Sequence, residues 1–536
     1  MNSTQRGLSV PVLEIAGLAM ILIAAGLLLL QLSGFSAERQ RLPSGVTLGE
    51  VSVGDLSRTE AQARVEQIYG APVLVSYQDS EILLEPDEVD LVVRSDAMLD
   101  RADAARTEGT FWGGFWNHLW ARSEEAYSVD ADISYSDDRL QAWLEDVAAR
   151  YDRPPQPATT NVSTLMVEAG EPGYTLDIEA SLPLIDEALR DPINRQVTLV
   201  INRQEAPDPG MEELRALVLE YLISENFSRV ATIHAIDLET GDEMHLNLDF
   251  RTGSPVDPGC DIAYAGMSMM KIGVMVDFFR LLDWNPTEGS DDYKNLIETM
   301  SLSGNASANV MLGKIGYGSS TPDDFGAAEY RRGADIVTRN LWSLGLENTF
   351  MASFYDDEEL PEYYSTPARE AARGGACINT LPDPYMQTTA TDMASLLDMV
   401  YQCATFNGGA LIARFPDDIT QDDCVQMIGL LEQNDEGVLI MAGVPSDVEV
   451  AHKHGWIADT HGDAGIVRSP GGDYVLVMFI WGDQNWLPAQ ESFPIMMGIS
   501  EITFNYFNPD LIDVPRQGLL DLQDAPAQPV PGSDDP

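Results

Sequence analysis

Tyr264-Ala265-Gly266-Met267-Ser268-Met269-Met270-Lys271 is a turn of small residues that feeds the apolar run Ile272 to Leu282. The run reads as a buried helix, and Ser268 and Lys271, three residues apart, share one face of its first turn. That spacing brings an amine within reach of a hydroxyl. A serine at neutral pH is a poor nucleophile until a nearby base takes its proton. The unpaired backbone N–H groups at a helix start can hold a developing oxyanion. Taken alone, S-x-x-K also occurs on many surface helices.

Two further stretches follow downstream. Ser303-Gly304-Asn305 enters the run Ala306 to Leu312, and Lys453-His454-Gly455-Trp456 closes a β-like run ahead of Asp463-Ala464-Gly465-Ile466-Val467. In this order the three resemble the S-x-x-K, S-D-N and K-T-G set of class A β-lactamases and penicillin-binding proteins. The resemblance runs from Met211 to about Pro509. It includes Thr388-Thr389-Ala390-Thr391-Asp392-Met393, similar to the threonine pair and helix after the omega loop. It implies an α/β (α+β) sandwich of the β-lactamase/transpeptidase type. Ser268 would be the nucleophile and Lys271 its proton acceptor, with Ser303 and Lys453 relaying the proton to the departing nitrogen. Asn305 would hold the substrate's side-chain amide and Lys453 its carboxylate. His454, Gly455 and Trp456 would complete the substrate strand, and the N–H groups of Ser268 and Trp456 would form the oxyanion hole. The implied chemistry is opening of a β-lactam amide through an acyl-Ser268 intermediate. The alternatives are a D,D-peptidase acting on peptidoglycan stem peptides and a non-enzymatic cell-wall sensor. The resemblance implies no cofactor and no metal.

Lysine usage supports the same residues independently. Of 31 basic residues only four are lysine, Lys271, Lys294, Lys314 and Lys453, and two of these are the motif lysines. Arginine cannot give up its proton in a protein, whereas a poorly solvated lysine can act as a base. A general bias toward arginine therefore spares lysine where its chemistry is required.

Three departures from the resembled pattern carry expectations. Gly304 stands where Asp is usual, which predicts an altered turn that keeps Ser303 and Asn305 in place. His454 replaces a small hydroxyl residue with a ring. Between Glu370 and Gln387 there is no E-x-x-L-N motif, and the counted position of the deacylating glutamate falls near Gly374 or Gly375. By count Glu370 lies too far upstream and Asp383 too far downstream, so slow deacylation is expected, with Asp383 as the first substitute. The histidines offer a rival site: His452, His454 and His461 crowd together, and on a strand the first two share a face, which suits a metal.

The formal charge of −55 excludes nucleic acid and anionic membrane surfaces as electrostatic partners. None of the four cysteines makes a C-x-x-C pair. Cys403 and Cys424 can meet as a disulfide outside the cytoplasm, or remain buried thiols. Ile15 to Phe35 is an uncharged run of the length that spans a bilayer. The chain is accordingly expected to have a cytoplasmic segment 1–14, a transmembrane anchor 15–35, and an extracytoplasmic remainder.

Residues 42–204 read as an α+β module. Ser57-Arg58-Thr59-Glu60 has capping-box form. A strand–helix–strand order around Val51 to Val75 recurs from Tyr174 to Ile201. This resembles the peptidoglycan-binding module that follows the anchor in bacterial cell-wall proteins, so the cell wall is the expected partner; a spacer that binds nothing is the alternative. Inside the module Phe111-Trp112-Gly113-Gly114-Phe115-Trp116-Asn117-His118-Leu119-Trp120 concentrates aromatics. A core patch, a sugar platform and a membrane-interface patch are all open readings. Residues 205–210 are the linker, 211–509 the hydrolase domain, and 510–536 a Pro- and Asp-rich tail expected to be disordered.

Overall fold

The computed structural model describes residues 12–107, 110–120, 122, 126–281, 286–318, 325–434, 439–483 and 486–518. The chain divides into two units, Met1–Gln156 with Glu171–Ala206, and Pro157–Gly170 with Pro207–Pro536.

The first unit begins with helix α1 (Val12–Glu38), of which Ile15–Glu38 is long and apolar enough to cross a membrane, with mean hydropathy 2.5. Helix α2 (Arg58–Tyr69) starts at the Ser57/Glu60 capping box that its sequence specifies. Strands β1 (Val73–Tyr77) and β2 (Ser80–Leu84) form a hairpin. Helices α3 (Ser95–Thr107), α4 (Phe111–Leu119), α5 (Asp137–Tyr151) and α6 (Ile178–Arg190) and strand β3 (Gln196–Thr198) follow. The internal repeat has a physical outcome. The closing strands of its two halves lie side by side in parallel, with Val197 opposite Val75. They cover a core that includes Trp143, Leu144, Ile185 and Leu189.

The second unit is built on a five-stranded sheet with helices on both faces. Its elements include α7 (Met211–Ser224), β4 (Val230–Asp237), β5 (Glu243–Asp249), α8 (Lys271–Leu281), α9 (Asn305–Tyr317), α10 (Ala327–Ser343), α11 (Ala390–Phe406), β6 (Glu449–Trp456), β7 (Thr460–Arg468), β8 (Tyr474–Trp481) and α12 (Ala489–Phe507). The strand order is β5-β4-β8-β7-β6, antiparallel throughout. The β4–β8 pairing, with Ile233 opposite Met478, joins the two ends of the unit. Successive side chains of a strand point to opposite faces. Val450, Val467 and Leu476 therefore meet α7 and α12, while Ala451, Ile466 and Val475 meet α8 and α11.

Every residue of α8 from Lys271 to Phe279 is buried. Each large apolar side chain among them contributes about 1.5–3 kcal/mol by leaving water. Helices α9 and α10 cross so closely that a Cβ on Gly333 would stand 2.0 Å from the Leu312 carbonyl oxygen, and one on Gly316 2.1 Å from that of Glu329.

The structure departs from the sequence-based expectation at two places, and at a third it decides the cysteine pairing that the sequence left open. The hairpin of Thr159–Asn161 and Met166–Glu168, placed by its position within the N-terminal module, belongs to the second unit. There Val167 joins the core, Asn505 Nδ2 donates to the Leu165 carbonyl at 2.9 Å and Thr160 Oγ1 to Glu220 at 2.8 Å. The start of the expected disordered tail is tied down, because Gln517 N–H donates to Val444 O at 2.9 Å and Gly518 N–H to Ala442 O at 3.0 Å. Residues 519–536 of that tail lie outside the described residues. All four cysteines are paired, as Cys403–Cys424 and as Cys260–Cys377, whose members are 117 residues apart in sequence.

Candidate active site

A small sheet assembles the site. Tyr264–Ala265 pairs with Met386–Thr388, which pairs in turn with Phe350–Met351. The chain leaves Ala265 through a 3₁₀ turn, Met267–Met270, before α8 begins at Lys271. Sequence periodicity places Ser268 in the first turn of the α-helix; the structure has a 3₁₀ turn there, which eclipses residues i and i+3 and stands Lys271 over Ser268. Met267 has φ 51°, an uncommon conformation for a non-glycine residue. Its carbonyl accepts from the buried Tyr355 hydroxyl at 3.2 Å.

Lys271 is fully buried. Its Nζ donates to Ser268 Oγ at 2.8 Å, Asn305 Oδ1 at 2.9 Å and the Ser303 carbonyl at 3.0 Å, with Ser303 Oγ at 3.4 Å. The Tyr355 ring lies beneath it, 4.3 Å from Nζ to the centroid. Burial, and then the charge of Lys453, push the Lys271 ammonium down to about 7, while the Asp356 carboxylate opposes this. Ser303 Oγ donates to Ser268 Oγ at 2.8 Å. Ser303 has φ 57°, and this left-handed conformation lets its carbonyl and its hydroxyl both face the Lys271–Ser268 pair.

Gly304 caps α9. A Cβ there would meet Ser307 Oγ at 2.6 Å, so this tight turn is built around glycine, and Ser303 and Asn305 remain at the site as expected. On β6, Gly455 passes so near Ser268 that a Cβ would stand 2.8 Å from the Ser268 nitrogen. Lys453, also fully buried, precedes it by two residues on the same face, with Nζ 3.3 Å from the His454 carbonyl.

His454 and Trp456 do not share that face. Trp456 packs on the α12 side, 5.7 Å from the Phe493 ring, and His454 stacks on Trp456 at 4.6 Å. His454 Nδ1 is 3.2 Å from Asn434 Nδ2. The expectation that the His454 ring lines the substrate strand is corrected by strand alternation, since Lys453 and His454 are neighbours in sequence. His452 lies on the same far face, held at 3.0 Å by Asp463. His461 bonds Ser492, and burial lowers it to about 4. Each histidine of the rival metal reading thus has its own partner. Among the described residues no group of three or more His, Cys, Asp or Glu is placed to hold a metal.

Sequence counting missed an acid. Asn305 Nδ2 donates to Asp356 at 3.2 and 3.3 Å, so the chain of contacts from Ser268 through Lys271 and Asn305 ends on an exposed carboxylate. Of the two acids considered from sequence, Glu370 is exposed and held by Tyr363 at 2.8 Å and Ser365 at 3.0 Å. Asp383 accepts the Tyr385 N–H at 2.6 Å, and burial raises it. Counting back from Thr388 failed because the loop 352–385 carries its own helix, Pro367–Arg373. The usable signal was the acidic run Asp356-Asp357-Glu358-Glu359 just after Phe350–Met351, the strand that pairs with Met386–Thr388.

Residues 329–507 match the β-lactamase enzyme family, and residues 84–198 match a peptidoglycan binding domain family. The first match includes Tyr355, Asp356 and Lys453 and begins downstream of Ser268, Lys271, Ser303 and Asn305. No curated protein matches the chain. Among solved structures the chain is similar to a mutant of PBP-A solved as its acyl-enzyme complex with penicillin G, at 17% identity, 56% of this chain, 97% of that chain and a TM-score of 0.37. It is also similar to a β-lactamase from Xanthomonas campestris, at 16% identity, 55% and 98% coverage and a TM-score of 0.37. A third is an ancestral class A β-lactamase, at 17% identity, 53% and 98% coverage and a TM-score of 0.36.

Proposed function

We propose that the chain is a membrane-anchored, extracytoplasmic serine hydrolase that opens β-lactam amides through an acyl-Ser268 intermediate. The observation that carries this reading is a fully buried Lys271 whose Nζ lies 2.8 Å from Ser268 Oγ and whose proton is held down at about 7. At neutral pH such a lysine is often the free amine, the state a general base needs. Lys271 takes the Ser268 proton as Oγ bonds to the carbonyl carbon. The N–H groups of Ser268 and of Trp456 receive the oxyanion. As the C–N bond breaks, Ser303, 2.8 Å from Ser268 Oγ, passes a proton to the departing nitrogen, with Lys453 holding the substrate carboxylate nearby.

Asp356 is the base for deacylation in this reading. The substrate's side-chain carbonyl takes over the Asn305 amide, which releases the Asp356 carboxylate to draw a proton from the water that attacks the acyl ester; the bond from the carbonyl carbon to Ser268 Oγ then breaks, and a proton returns to Oγ through Lys271, 2.8 Å away. This replaces the expectation of Asp383 as the first substitute. Asp383 is already engaged by backbone N–H groups.

The anchor is Ile15 to Phe35, and the N-terminal module is the contact to the cell wall. Two disulfides support an oxidising compartment. Intact mass after mixing with a penicillin is the test. Addition of one penicillin mass that is absent in Ser268→Ala and decays within minutes supports the reading. Labelling that persists in Ser268→Ala sinks it, and an adduct stable for hours favours the D,D-peptidase alternative.

A further inference from the structure

We infer that α4 is an interfacial membrane foot, laid on the surface of the bilayer that α1 crosses. The inference rests on the anchor reading above. Helix α4 spans Phe111–Leu119 and contains no Asp, Glu, Lys or Arg. Thr110 caps it by accepting the Gly113 N–H at 3.2 Å. Its inner side is fastened to the last turns of α1, where Phe35 meets the rings of Phe111 at 5.4 Å, Phe115 at 5.6 Å and His118 at 5.4 Å. His118 Nδ1 also lies 2.7 Å from the Glu38 carboxylate. Gly114 allows this approach, since a Cβ there would stand 3.1 Å from Phe35.

The outer side is open to solvent. Trp112, Trp116 and Trp120 recur every fourth residue and are 68%, 59% and 64% exposed, whereas Phe115 is 3% exposed. The core-patch reading therefore holds for Phe115 and fails for the tryptophans. Three aligned exposed indoles form an apolar patch of a kind soluble surfaces rarely keep. Phe35 closes the uncharged run that begins at Ile15, so it stands where the span leaves the hydrocarbon, and a helix fastened to it lies at headgroup depth. Tryptophan is enriched at that depth because its ring is apolar and its N–H is wet. A cavity of about 320 Å³ behind α4 is lined by Arg39, Arg41, Arg106 and Arg122 against Glu38 and Asp55. This arginine-rich collar suits lipid phosphates, and it supplies the charged flank that the uncharged helix lacks.

The test uses the full chain in phosphatidylcholine liposomes whose acyl chains are brominated close to the glycerol, which quenches nearby indoles. It is compared with Trp112→Ser/Trp116→Ser/Trp120→Ser. Wild-type fluorescence should be quenched, and the triple variant should lose at least half of the quenched amplitude while its Ser268 still takes up penicillin. Alkaline carbonate extraction reads the anchor separately. Retention of both proteins with equal quenching overturns the foot and leaves the anchor standing. Release of the wild type overturns the anchor, and the foot with it. A fluorescence change of the wild type alone on soluble glycan strands, without lipid quenching, overturns the foot in favour of sugar stacking.

Discussion

The two faces of strand β6 carry the same kinds of buried polar residue to opposite ends. Lys453 and Gly455 face the nucleophile; His452, His454 and Trp456 face α12. On the first face, two like charges are buried near one another. Lys453 and Lys271 are both fully buried, and the charge of one depresses the other. On the second face the buried carboxylate is matched: Asp463 would be raised by its burial, yet the charge and hydrogen bond of His452 hold it low. Burial first, and a like charge second, leave Lys271 ready to lose its proton, whereas a matched pair only holds two strands together. Burial of a titratable group therefore points to chemistry only when its neighbours leave it strained.

The largest effect expected is on the reactive face. Lys271→Arg should lower the acylation rate by roughly a thousandfold or more, because guanidinium cannot accept the serine proton. Stopped-flow reporting of a chromogenic cephalosporin burst measures it, and a loss under tenfold would break the contrast. Next comes Asp356→Asn. Removing a general base costs on the order of a hundredfold to ten-thousandfold, and the loss should fall on deacylation, so that the acyl-enzyme accumulates at an unchanged acylation rate. Equal decay of the adduct in both proteins would return the role to Asp383.

The matched face should respond in stability and not in rate. His452→Leu leaves the buried Asp463 with the Ile440 N–H but without its histidine, and losing one partner of a buried pair costs up to about 3–5 kcal/mol. Denaturant unfolding should register this, while acylation per folded molecule changes less than threefold. A hundredfold kinetic loss would mean that the two faces are coupled.

The smallest expected effect is a pH dependence. The Lys271 value is about 7 in the folded chain, against about 10.4 for an unfolded lysine. Between these values the unfolded state binds more protons, so this group makes stability rise with pH from about 7 to about 10. Acylation should rise through pH 7 over the lower part of that range. Thermal unfolding of wild type and Lys271→Met across this range isolates the slope, which should be missing from the variant. A flat acylation profile from pH 6 to 8 would show that Lys271 does not titrate in that range and would overturn the value of about 7.

Much of this site was legible because its parts are local in the chain. Ser268 and Lys271 are one turn apart, Ser303 and Asn305 flank one helix start, and scarce lysine marked Lys453. Their spacing survives whatever the rest of the chain does. Asp356 was not legible by counting, since the inserted helix at Pro367–Arg373 lengthens the loop without moving its ends. The pairing of Phe350–Met351 with Met386–Thr388 is what brings its start to the nucleophile. The sidedness of His454 was in principle readable from strand alternation, but comparison with a hydroxyl at that position obscured it.

By itself, then, the sequence determined the periodicities, the caps, the apolar span and the order of the reactive motifs, because each depends on residues within a few turns of one another. Only the tertiary structure decided which acid reaches Asn305, which cysteine pairs with Cys260, which unit claims the hairpin at 159–168, and which side of α4 is left bare. Those outcomes rest on contacts between segments far apart in the chain, where the lengths of intervening loops are weakly constrained and packing makes the choice.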